Sequence, residues 1–201
     1  MPFPPRTAAT DAFIRAIHNH LTTTGAPSGG TNRMMISAVT AGGTASLPSR
    51  VFIGFSGGVA GGTVRAVVTT MNTVPLFTAT RTTILPFSGE GQLVAPLGGP
   101  VPIQLGHYQV AHNRRCSEPR ALLEAARSGL RINGMSTMYW GNNQNPYPHP
   151  SGGIPNGVNG FTIFARPCDI CSLNDDWLMT RVNSSRDTAR GLPRRSVEAP
   201  L

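Results

Sequence analysis

Cys116-Ser117-Glu118-Pro119-Arg120-Ala121-Leu122-Leu123-Glu124-Ala125-Ala126-Arg127 is the clearest helix signal in the chain. Leu122, Leu123 and Ala126 form one apolar face, and Gly129 stands where a helix ends. The segment opens on a cysteine, and a carboxylate follows two residues later. The other two cysteines sit together in Pro167-Cys168-Asp169-Ile170-Cys171, after a strand-like run and at the start of a second helix-like segment. All three cysteines of the chain thus fall in two short motifs of the same kind.

This pairing points to a metal. Two thiolates at C-x-x-C spacing reach one ion from a single turn, and a third ligand can come from a facing helix. Three protein ligands leave the fourth tetrahedral position open for water, and a metal lowers the pKa of that water toward neutrality. Glu118 can face the same site without binding the ion, and can move protons there. Three cysteines cannot pair completely, which argues against a disulfide framework. Three thiolates around zinc leave a net charge of about −1, which blunts its Lewis acidity. Helix N-termini oppose this, as do the neighbouring Arg115 and Arg166. A structural zinc site is the alternative; it needs a fourth ligand, for which His112 or His149 is available. Buried inert cysteines account poorly for the C-x-x-C spacing.

Cys116, Glu118 and Pro119, with Pro167, Cys168 and Cys171, resemble the C-x-E and P-C-x-x-C motifs of the cytidine deaminase-like superfamily, especially its bacterial toxin-type deaminases. The order of elements is similar as well: a helix, hairpin strands ending in Ser56-Gly57-Gly58, the C-x-E helix, a strand, then the P-C-x-x-C helix. The resemblance covers roughly residues 10–182. It implies an α/β protein, a three-layer α/β/α fold around a mixed sheet, and hydrolytic deamination of cytosine or adenine. Carried over, it implies Cys116, Cys168 and Cys171 as zinc ligands and Glu118 as the proton shuttle. Glu118 and Cys168 are separated by 49 residues, long for the family, and the excess lies in an Asn/Pro/Gly loop over 141–160. About 30 residues follow Cys171, so the sheet is expected to be shortened or to be completed by strands from the N-terminal half.

Outward from the motifs, residues 10–23 predict a helix capped by Thr10 or Asp11, with Phe13, Ile14, Ile17 and Leu21 at helical spacing. Residues 34–39 and 51–55 predict strands, the second with 63–71 as its hairpin partner. Residues 76–85 and 101–110 are further strand candidates, separated by a Gly/Pro-rich loop. Residues 135–140 and 161–165 predict strands on either side of the long loop. Cys168 opens the segment that carries Trp177 and Leu178. One domain is expected over 1–183, with a helix and linker in 1–32 and a polar Arg-rich tail over 184–201.

The charge balance is 17 Lys+Arg against 9 Asp+Glu, a net +8, and every one of those cations is an arginine. Such an excess is the footprint of a polyanionic partner. Arginine binds phosphate bidentately and stacks on bases, which lysine does not. A high-GC genome accounts for arginine in place of lysine, but not for the net charge. Charged residues make up only 13%, while Gly and Pro number 23 and 18. That excludes a coiled coil, a collagen and a fully disordered chain, and indicates many turns and long loops. No run reaches the roughly 18 apolar residues of a membrane span, and the N-terminus lacks an apolar signal core. The expected location is the cytoplasm, or a target cell into which a toxin is delivered.

The expected activity is therefore zinc-dependent conversion of cytosine to uracil in DNA, most naturally single-stranded, by a monomer. DNA is the expected partner, with an immunity protein if the domain belongs to a toxin. RNA or free nucleosides and nucleotides are the alternative substrates. A non-catalytic, zinc-stabilised nucleic-acid-binding module is the alternative outside enzymes, and it would have no use for Glu118 beside a ligand. Among Met138, Tyr139 and Trp140, Trp140 abuts a polar loop and is the candidate to stack a base, with Asn142 and Asn143 to hydrogen-bond it. Ser56 at a strand end and His112, four residues before Cys116, are further candidates for substrate contact. Arg181, Arg186, Arg190, Arg194 and Arg195 either track phosphates or form a solvated tail.

Overall fold

The computed structural model describes residues 2–25, 34–56, 76, 81–85, 116–150, 162–168, 171–172 and 175–192. Thr7 sets the start of helix α1 (Ala8–Thr23). Its hydroxyl accepts from the Thr10 amide at 3.2 Å, and the Thr10 hydroxyl accepts from the Thr7 amide at 3.0 Å. This reciprocal box satisfies two amides that lack helical partners. It moves the cap ahead of Thr10 and Asp11, the two candidates read from the sequence. Phe13, Ile14, Ile17 and Leu21 are all buried, as their spacing requires.

Strand β1 (Met34–Gly43) and strand β2 (Pro48–Phe55) form an antiparallel hairpin, with Ile36 opposite Phe55 and Gly43 opposite Pro48. Strand β3 (Arg81–Leu85) runs parallel along the other edge of β2. Strand β4 (Ile132–Trp140) pairs antiparallel with the free side of β1, and the two-residue β5 (Phe164–Ala165) pairs with β4. The order is β3-β2-β1-β4-β5, a mixed five-stranded sheet. A strand has two edges, and those of β2 are taken by β1 and β3. Residues 63–71, expected as its hairpin partner, and 101–110 lie outside the described residues. β1 outruns its expected end at Val39 because it is central and buried on both faces through Ala41, so no polar alternation marks its length.

Helices cover both faces of the sheet. On one, α1 packs Phe13, Ile14, Ile17 and Leu21 against Ile36, Val51, Ile53, Phe55, Met138 and Phe164. On the other, helix α2 (Ser117–Arg127) and helix α3 (Asp175–Ala189) pack Leu122, Ala126, Leu178 and Val182 against Val39, Phe52 and Met135. Each large side chain buried in this way contributes about 1.5–3 kcal/mol. α2 lies tight on the hairpin: a Cβ at Gly54 would collide with the Ser117 carbonyl oxygen. Gly129, at φ +72°, ends α2 in the left-handed region.

Strands β1, β2 and β3 all come from the N-terminal half, and among the described residues after Cys171 there is α3 and no strand. α3 also changes the expected tail. It runs through residues 184–189, and its Asp187 is buried and lies 3.6 Å from Arg186 in an ion pair. Arg181 is buried in the same helix, so it does not belong to a solvated end; Arg190 does lie exposed. No helix among the described residues is long and apolar enough to cross a membrane.

Candidate metal centre

Cys116 is the N-cap of α2, with extended backbone at φ −77° and ψ 136°, and its side chain makes no capping hydrogen bond. The thiol is thus left for another purpose. Pro119 is tolerated in the first turn because amides there have no helical partner. Glu118 in the same turn suits the positive end of the helix. On the other side, β5 leads through Arg166 and Pro167 into Cys168. The Ser172 amide donates to the Cys168 carbonyl at 2.9 Å, closing one helical turn that brings Cys171 back toward Cys168.

The three sulfurs lie within 4.8 Å of one another, close enough to bind one metal ion. In a tetrahedral site with Zn–S bonds of about 2.3 Å, neighbouring sulfurs stand about 3.8 Å apart, so small side-chain adjustments suffice. An all-sulfur set suits a soft or borderline divalent ion. Hydrogen bonds among the thiols, followed by burial, push the thiol pKa values of Cys116 and Cys171 far upward. Three thiolates cannot share this space without a cation to offset their charge. Among the described residues the cluster holds these cysteines and no histidine or carboxylate. His149, one candidate for a fourth ligand, lies with α1 instead: its Nδ1 is 3.3 Å from Arg6 Nη1, and Arg6 sits over the Phe164 ring and pairs with Asp11. His112 and Arg115 lie outside the described residues. Arg166 is close by, its Nη1 donating to the Pro167 carbonyl at 3.1 Å.

Glu118 is 3% exposed and stands outside the sulfur cluster. Burial, with the neighbouring Cys168 adding to it, pushes its carboxyl up to about 7. One oxygen is held: Ser117 Oγ donates to Glu118 Oε2 at 3.2 Å. Ser117 Oγ lies 2.7 Å from Ser37 Oγ, which lies 2.8 Å from Thr137 Oγ1. All of these side chains are buried. A hydroxyl has one proton to donate. With that of Ser117 given to Glu118, Ser37 must donate to Ser117 and Thr137 to Ser37. A one-way chain of hydroxyls therefore runs from the centre of the sheet to the carboxylate. Nothing in the residue pattern marks Ser37 and Thr137, because small polar residues in strands usually face solvent.

The candidate substrate residues divide. Trp140 faces α1, across the sheet from the cysteines, with its ring edge-on to His18 at 5.7 Å and 73°. Strand alternation explains the correction: Ser37 and Thr137 face α2, so Tyr139 shares their side and Trp140 does not. Ser56 accepts from the Met35 amide at 2.7 Å and lines a cavity of about 520 Å³ at the strand ends. Met34, Met35, Tyr139, Asn143 and Gln144 line it as well. Asn142 is exposed and is not among the lining residues. Arg120 Nη1 donates to the Phe55 carbonyl at 3.1 Å, tying the start of α2 to the end of β2.

No family model, curated protein or solved structure matches this chain.

Proposed function

We propose that the protein is a zinc-dependent hydrolytic deaminase that converts cytosine to uracil in single-stranded DNA. The observation that carries this is the buried, non-ligating Glu118 beside three converged thiols. A structural metal site has no use for such a carboxylate, which carries a burial penalty of its own. The element order of helix, hairpin, C-x-E helix, strand and P-C-x-x-C segment supports the likeness to the cytidine deaminase-like fold, as do helices on both faces of a mixed sheet.

Cys116, Cys168 and Cys171 would hold the zinc, and bound zinc supplies a water with a pKa lowered toward 7. The remaining work falls to Glu118. Ser117 fixes Oε2, which orients the carboxyl to take a proton from the attacking water and to pass it to the base. Burial favours the neutral carboxyl, which prepares Glu118 to carry that proton to N3 and then to the leaving amine. Water adds at C4 and ammonia departs, so the atoms balance as cytosine plus water to uracil plus ammonia. The net charge of +8 supports a polyanionic substrate over a free base.

The test is to incubate the zinc-loaded protein with single- and double-stranded DNA, RNA and deoxycytidine, and to look for uracil by mass spectrometry. Uracil in single-stranded DNA, lost in a zinc-retaining Glu118→Ala variant, is the expected result. Absence of deamination on every substrate, or equal turnover by the variant, would refute the proposal.

A further inference from the structure

We propose that the cavity at the ends of β1, β2 and β4 is a pocket for one uncharged pyrimidine base, with Tyr139 as the wall it packs on and the Asn143 and Gln144 amides as the rim that reads its edge. The choice of base rests on the deaminase reading of the neighbouring site.

Its location comes from the register. Met35 and Tyr139 are paired across β1 and β4, and the next same-face pair is Ser37 and Thr137. Successive same-face pairs are roughly 7 Å apart. The cavity therefore lies one step along the sheet from the hydroxyl that holds Ser117, and so next to the first turn of α2. Its size, about 520 Å³, falls within the roughly 300–1,000 Å³ of small-molecule sites.

Its chemistry is selective. Among the described residues, the seven lining side chains are all uncharged, so this part of the wall suits a neutral group better than a phosphate. It offers an aromatic ring and two methionines, which are polarisable and suit a flat π-system. Asn143 and Gln144 are exposed at its mouth, and each amide carries both a donor and an acceptor, the complement of a base edge. The wall is also built: a Cβ at Gly141 would collide with the Tyr139 hydroxyl and ring, so glycine at 141 lets that ring lie where it does. On this proposal the base enters against the described, uncharged wall and the backbone phosphates stay outside the cavity.

The experiment uses the whole zinc-loaded protein labelled at methionine methyls, titrated with deoxycytidine and, separately, with inorganic phosphate. Deoxycytidine should shift the Met34 and Met35 methyls saturably and leave Met179, which packs with α2 and α3, unmoved. The affinity should not change with salt, and phosphate should have no effect at Met34 or Met35. Asn143→Ala, at an exposed position, and Gly141→Ala, which displaces Tyr139, should each weaken binding about tenfold, the scale of one lost polar or ring contact. Unmoved Met34 and Met35, or displacement of deoxycytidine by phosphate, would overturn the pocket. If DNA is deaminated while those methyls stay still, the pocket is wrong and the deaminase reading stands. If deoxycytidine fills the cavity of a protein that turns over no substrate, the pocket stands and the deaminase reading falls.

Discussion

Removing the Ser37 hydroxyl should damage both the fold and the carboxylate it supports. Ser37 is fully buried, and its oxygen joins Ser117 at 2.7 Å to Thr137 at 2.8 Å. Ser37→Ala strands two hydroxyls at once: Thr137 loses its acceptor and Ser117 loses its donor. Each unsatisfied buried group costs about 1–3 kcal/mol, so the loss should come to about 2–6 kcal/mol. That is a large fraction of the 5–15 kcal/mol that ordinarily holds a domain folded. Urea denaturation of the metal-free protein should show a lower midpoint with an unchanged slope. Thr137→Val, which keeps the shape, should cost about 1 kcal/mol. The double variant should be less damaged than the two single losses added, because valine removes the donor that alanine had stranded. On the proposed deaminase activity of the zinc-loaded protein, Ser37→Ala should lower kcat and leave KM unchanged, and Ser37→Thr should restore much of the loss. An unchanged midpoint for Ser37→Ala, or strict additivity in the double variant, would refute a one-way hydroxyl chain.

The Glu118 carboxyl, raised by burial from its ordinary 4.5 to about 7, makes the metal-free protein most stable where that group is neutral. Its contribution is complete below about 4.5 and is lost as pH rises through about 7, a change of roughly 3 kcal/mol. Urea midpoints across that window should fall for the wild type relative to Glu118→Gln. If the proposed deaminase activity holds, Glu118→Gln should keep zinc and lose about 10²–10⁴-fold in kcat. Cys171→Ser should drop zinc from one per chain to a small fraction by elemental analysis. Chelation should lower the wild-type melting temperature, by an amount corresponding to about 4 kcal/mol where zinc had been present at a thousand times its Kd. Affinity for a short single-stranded oligonucleotide should fall with a log–log salt slope of about −0.7 per phosphate contacted, while a flat plot would remove the arginines from substrate binding.

What could be read from residues alone followed from local periodicity and local spacing. The 3.6-residue rhythm of Phe13, Ile14, Ile17 and Leu21 placed α1, and Cys116 and Cys168-x-x-Cys171 converge as their spacing implied. What could not be read depends on pairing between distant segments. Tyr139 and Trp140 look alike as neighbours in a strand, and their sides are decided by the register of β4 on β1, far away in the chain. The partner of β2 on its outer edge is the parallel β3, which leaves no turn signature between the two. α3 runs past Asn183 through polar residues, with Asp187 buried and 3.6 Å from Arg186 in an ion pair, so polarity alone did not mark the length of that helix. Ser37 and Thr137 are ordinary strand residues until the first turn of α2 is laid over them.

The cysteine cluster also bears on how the chain is held together. One ligand comes from residue 116 and two from residues 168 and 171, so a bound ion would close a loop of about fifty residues. A permanent cross-link around a loop of that length lowers the entropy of the unfolded chain by an amount worth about 4 kcal/mol. Disulfides give such a staple in oxidising surroundings, where thiols can be paired for good. A metal staple would hold in a reducing compartment as well and could be withdrawn by a chelator, which would make the grip between the two halves of the fold a function of metal supply.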